Sequence, residues 1–107
     1  MTFDDLFQKI QAIPSVEKRA CQENYVEIVL TRAGVDTLTP SLLAYFGLPL
    51  KPPGQPPCHE SLNYSTPYGG IQSNQTMFAR KNETGAELVL LWPWGNGENI
   101  TVKIIRQ

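Results

Sequence analysis

Apolar positions along the chain repeat with periods that assign most of its elements. Phe3, Leu6, Phe7, Ile10 and Ile13 recur at steps of three and four, which places them on one face of a helix. Thr2 and Asp5 have the capping-box spacing, and Asp4 and Asp5 lie where a helix dipole favours negative charge. Pro14 excludes its predecessor from the α region, so the predicted helix is Phe3–Ala12. Ser15–Gln22 carries a weaker signal, a helical turn through Val16–Cys21 capped by Ser15. In Asn24–Thr31, Val26, Ile28 and Leu30 alternate with Tyr25, Glu27 and Thr31, the pattern of a strand, and Val29 breaks the alternation as partial cover on both sides would. A turn is expected at Ala33-Gly34. Thr39-Pro40 then reads as an N-cap followed by proline at the first helical position, with Leu42, Leu43 and Phe46 as the apolar face and Gly47 as the stop.

Leu48–Gly70 shows neither period and holds most of the prolines. Unstructured loops longer than about 12–15 residues are uncommon inside compact domains. Leu48, Leu50, Leu62, Tyr64 and Tyr68 give this one material to pack, so it is read as an ordered, Pro-rich loop on one face of a sheet. Ile71–Lys81 follows as a polar strand, with a turn at Asn82-Glu-Thr-Gly85. Ala86–Trp92 is apolar at consecutive positions and is therefore predicted to be covered on both faces. Pro93 cannot donate to a ladder.

Asn96-Gly97 is a strong hairpin signal, because a type I′ turn needs positive φ at both central residues. With the turn there, Trp94 faces Asn99, Trp92 faces Thr101, Leu91 faces Val102, Val89 faces Ile104, and Glu87 faces Arg106. The elements sum to an α+β fold: helix, strand, helix, long loop, three-stranded meander. They predict one domain over residues 1–107, a four-stranded, mostly antiparallel sheet with two helices on one face. Leu88, Leu90 and Trp92 fall on one side and Val89 and Leu91 on the other, so the second face needs cover from the loop or from another chain.

Charge narrows the partners. The nine basic residues are scattered and the net charge is −1, which provides no stripe to neutralise phosphates, so no nucleic acid is expected. No apolar run is long enough to cross a bilayer, and the N-terminal residues are acidic where a secretory signal would be basic. Cys21 and Cys58 are too few for a disulfide framework, and the expected setting is cytoplasmic with reduced thiols. Asn63, Asn74, Asn82 and Asn99 each begin an N-glycosylation acceptor pattern, which turn-favoured Asn and strand-favoured Thr also generate by themselves.

Candidate chemistry is sparse. Cys58-His59-Glu60 is the one place where thiol, imidazole and carboxylate come together, and it is the candidate catalytic cluster of a small enzyme. Adjacent residues of an extended segment point to opposite sides, so His59 is poorly placed to activate Cys58. Zinc needs three or four ligands, and there is no Cys-x-x-Cys and no second histidine; no metal or other cofactor is expected. Ser15 and Lys18 have Ser-x-x-Lys spacing without the companion motifs, and N-capping accounts for Ser15. Pro52–Pro57 contains a Pro-x-x-Pro step that a stiff wrapping loop also explains. Trp92 and Trp94 share one side of a strand, and Tyr64 and Tyr68 lie in the loop that can reach them. Large aromatics at a rim are typical anchors for a partner. The sequence therefore points to a non-catalytic binding or protein–protein interaction module. The expected partner is a protein, including a second copy paired through the C-terminal strand Ile100–Arg106, whose only charged guards are Lys103 and Arg106.

Overall fold

A computed structural model of the chain describes residues 2–83 and 85–107. The fold is α+β, built on a five-stranded antiparallel sheet: β1 (Glu17–Cys21), β2 (Tyr25–Thr31), β3 (Thr76–Asn82), β4 (Gly85–Pro93) and β5 (Asn99–Arg106). Their spatial order is β1-β2-β5-β4-β3. Helices α1 (Phe3–Ala12) and α2 (Arg32–Phe46) cover one face. A third helix, α3 (His59–Ser65), and a 3₁₀ turn (Thr66–Tyr68) lie within the Pro-rich segment.

The first helix forms where its period predicts. Thr2 accepts from the Asp5 N–H at 3.1 Å, and Asp5 accepts from the Thr2 N–H at 2.9 Å. Phe3, Leu6 and Ile10 are buried against Val26, Ile28, Leu30 and Ile104. The β4–β5 register is the predicted one: Glu87 faces Arg106, Val89 faces Ile104, Leu91 faces Val102 and Trp92 faces Thr101. The turn of 82–85 includes Thr84, which lies outside the described residues; Asn82 faces Gly85 at its base.

The β4–β5 turn differs in kind. No described residue other than glycine has positive φ, so Asn96 does not occupy a type I′ position. The Gly97 N–H instead bonds the Trp94 carbonyl at 3.2 Å, with Gly97 at φ 75°, a tight turn closed by a left-handed glycine. Asn96 works through its side chain, whose Oδ1 accepts from the Glu98 and Asn99 N–H groups at 2.9 and 3.1 Å. Asn96→Ala therefore removes two backbone caps and is expected to cost about 1–2 kcal/mol, measured by thermal denaturation.

Three parts of the predicted layout are corrected. The sheet has five strands, because Glu17–Cys21 pairs with β2 instead of coiling. Six residues make a marginal helix, whereas Val16 and Gln22 donate at 2.8 Å to Val29 and Tyr25 and close a hairpin around Arg19, where the register shifts as a bulge. The second helix begins at Arg32, with Thr31 accepting from the Gly34 N–H at 3.2 Å; Thr39-Pro40 lies inside it. Asp36 and Pro40 are both exposed, so the bond that proline removes is lost where water can replace it. Finally, β5 lies between β2 and β4 and is buried on both faces, with Lys103 7% exposed. The C-terminal strand is not an edge, and pairing of two copies along it has no open ladder to use. The true edges are guarded. The bulged β1 carries Glu17, Lys18 and Arg19, and β3 is bridged at Met77 by Lys51.

The second face is covered from within the chain. Leu50, Tyr64, Tyr68 and Ile71 pack on Met77, Leu88, Leu90 and Ile105. Helix α3 escapes periodicity because the residues it buries are Ser61 and Ser65, four apart, and not large apolar ones. Their hydroxyls donate to the Cys58 and Leu62 carbonyls, which is how small polar residues can be buried there.

Candidate interaction surface

The second face of the sheet gathers an aromatic and charged network that spans from the loop to β1. β4 ends in Trp92-Pro93 with Trp94 directly after it, and alternation puts both indoles on this face. The Trp94 Nε1–H donates to the Thr101 hydroxyl across the β4–β5 hairpin at 2.8 Å. The Arg19 guanidinium lies over the Trp94 ring, 5.3 Å from its centroid. Arg19 also pairs with Glu27 of β2 at 3.7 Å and with Glu17 at 3.1 Å. Glu27 accepts from the Tyr25 hydroxyl at 2.5 Å, and the Tyr25 ring stacks on Tyr68 of the loop, 6.0 Å between centroids and 13° between planes.

The network continues under the loop. Lys103 donates to the Tyr68 carbonyl at 2.8 Å, and its ammonium lies 3.4 Å from the centroid of the Trp92 ring. A desolvated cation–π contact of this kind is worth roughly 2 kcal/mol. The Trp92 N–H is buried without a hydrogen-bond partner among the described residues. An orphan donor costs about 1–3 kcal/mol, which the contact with Lys103 offsets.

Burial sets the electrostatics. Desolvation lowers the Lys103 pKa; the nearby Glu27 carboxylate opposes that shift and Arg19 adds to it. Desolvation likewise raises the Tyr25 pKa, and the hydrogen bond to Glu27 raises it further, so the hydroxyl stays protonated as a donor. Exposure is graded across the site. Lys103 and Thr101 are buried, while Tyr25, Tyr68, Trp92 and Trp94 are half-buried and Arg19 is exposed.

The four residues proposed from sequence divide as follows. Trp92, Trp94 and Tyr68 belong to this network; Tyr64 packs beside it in the second core cluster. Arg19, Tyr25, Glu27 and Lys103 are additions that sequence reasoning missed. Tyr25 and Glu27 were legible as the off-core side of an alternating strand. Arg19 and Lys103 depend on strand pairings far apart in the chain.

Cys58, His59 and Glu60 are exposed at the start of α3. Cys58 is its N-cap, the sulfur accepting from the Ser61 N–H at 3.4 Å. Among the described residues no hydrogen bond joins His59 to Cys58. The Ser61 side chain, and then the Ser61 N–H, lower the Cys58 thiol pKa. No group of three or more His, Cys, Asp or Glu among the described residues is placed to hold a metal ion. No described helix is long and apolar enough to cross a membrane. Compared with protein-family models, curated proteins and solved structures, the chain matches none.

Proposed function

We propose that this chain is a non-catalytic binding module that contacts a protein partner through the half-buried rings of Tyr25, Tyr68 and Trp94 and the exposed Arg19 beside them. The observation that supports this most is the linkage of those rings through Glu27 and Arg19 into one network, with Trp94 fixed from beneath by Thr101. Side chains held in this way lose little conformational freedom on binding, and Trp, Tyr and Arg are the residues on which binding energy concentrates. A cytoplasmic setting suits the two exposed free thiols, Cys21 and Cys58. Trp94→Ala and Arg19→Ala, made separately, are expected to weaken partner capture at least about tenfold with the circular dichroism spectrum unchanged. Capture by both variants equal to that of the wild type would remove this surface from the reading.

A second reading has one observation in its favour. The lowered thiol pKa of Cys58 suits a nucleophile, and the small-enzyme alternative would use it with Glu60. Cys58 is expected to react with a thiol reagent at neutral pH faster than free cysteine, because its thiolate persists to lower pH. Reaction no faster than that would leave the enzyme reading without its nucleophile.

A further inference from the structure

We infer that the edge of β3 takes an acidic, extended peptide segment as an added strand beside Ala79 and Lys81. This site is separate from the ring surface, whose Arg19 stands on β1 at the opposite edge of the sheet.

β3 pairs with β4 without a break, from Thr76 opposite Leu91 to Asn82 opposite Gly85, whereas the β1 edge is bulged. A regular edge is the better template for another strand. The chain already uses part of it. Met77 exchanges both backbone bonds with Lys51, at 3.0 and 3.2 Å, in an antiparallel bridge. Met77 therefore directs its N–H and carbonyl away from β4, and by antiparallel alternation Ala79 and Lys81 do the same. Among the described residues neither makes a backbone bond outside the β3–β4 ladder, so their outward donors and carbonyls lack protein partners. The bridge stops at Met77 for a local reason. In its register the residue opposite Ala79 is Pro49, and proline has no N–H to give.

Charge selects the occupant. Arg80 and Lys81 are both exposed and, as neighbours on a strand, point to opposite faces. Arg80 lies over the Tyr45 ring and donates to the Tyr45 carbonyl at 3.4 Å. Lys81 forms no ion pair among the described residues. The carboxylates at this end sit off the edge. Glu87 is one strand in, accepting from the Tyr45 hydroxyl, and Glu83 belongs to the turn after Asn82. A second copy fits this edge poorly. Two-fold pairing centred on Arg80 or Lys81 sets that residue against itself, and like charges directly opposite repel. Pairing centred on Ala79 sets Lys81 against Met77, whose outward bonds Lys51 already holds. An acidic strand turns the same two charges into cross-strand pairs. Main-chain bonds then give the affinity and alternate side chains the selectivity, as in other strand additions.

The probe is a blocked peptide of about seven residues alternating Glu with Val, and the control is its Lys–Val counterpart. In the free protein the Ala79 and Lys81 amides are expected to exchange rapidly with solvent, and saturating Glu–Val peptide to slow both at least about tenfold. Lys81→Glu is expected to weaken that peptide roughly tenfold. It changes an exposed side chain, and its circular dichroism should match the wild type. Lys81→Pro removes an N–H that β3–β4 pairing does not use and is expected to weaken the peptide likewise. Equal binding of the two peptides overturns the inference, as does unchanged binding by Lys81→Glu or binding that protects neither amide. Absence of Glu–Val binding at about 1 mM overturns it too. So does slow exchange of both amides in the free protein, and a dimer in sedimentation velocity would then assign the edge to a second copy.

Discussion

Gly69→Ala is expected to lower the midpoint of thermal unfolding by more than about 10 °C, the loss of roughly 2–4 kcal/mol in a domain of this size. Two effects add. Gly69 ends the 3₁₀ turn at φ 102°, a conformation that costs other residues about 1–2 kcal/mol. A Cβ there would also stand 2.7 Å from Cη2 of Trp92. That atom ends a ring already in contact with the Lys103 ammonium, so relief comes only from moving the indole or lifting the loop. Either movement uncovers the second core cluster at Tyr68. Gly70 supplies the control. Its φ is 79°, but a Cβ meets nothing within 4 Å, so Gly70→Ala carries only the backbone term. Near-ultraviolet circular dichroism should report a disturbed tryptophan environment in the Gly69 variant alone. Equal destabilisation by the two substitutions would show that the close approach to Trp92 carries no weight.

Lys51→Ala is expected to cost about 3–5 kcal/mol, with Lys51→Met losing less. Lys51 is buried at the isolated bridge to Met77, where its N–H and carbonyl pair with the Met77 backbone at 3.2 and 3.0 Å. Its ammonium donates to the Ser73 and Gln75 carbonyls, the latter at 2.5 Å. One side chain thus ties the turn before β3 to the strip that shields the β3 edge. Burial lowers the Lys51 pKa, because no carboxylate compensates the desolvation. Alanine leaves two carbonyls unsatisfied and removes the aliphatic stem; methionine keeps the stem and loses only the donors. Chemical denaturation orders the three proteins, and a methionine variant as unstable as alanine would show that packing of the stem contributes nothing. The sign of the pH effect follows from the depressed pKa. The stabilisation gained by relieving the buried charge is present above the ordinary lysine value and is lost as pH falls through the lowered one.

Elements that depend on near neighbours were readable from the chain alone. Helix α1 is set by its own period, its capping box and Pro14. The β4–β5 register follows from the position of the turn, because a hairpin with a fixed turn has one pairing, and Glu87 opposite Arg106 emerged from it. The need to cover both faces of β4 followed from its consecutive apolar residues. Tertiary structure decided the rest. Glu17–Cys21 became a strand because β2 offered an unpaired edge, and nothing local distinguishes that outcome from a helical turn. Thr39-Pro40 has the chemistry of a helix start, yet packing of Val35 and Leu38 against the sheet carries α2 back to Arg32. Helix α3 buries serines, so no hydrophobic repeat announces it. The aromatic residues Trp92, Trp94 and Tyr68 were recognisable as anchors from their size and spacing. Their cationic partners, Arg19 and Lys103, were not, because β5 had to be inserted between β2 and β4 before a lysine on its second face could meet Tyr68 and Trp92, and before β1 could bring Arg19 over Trp94.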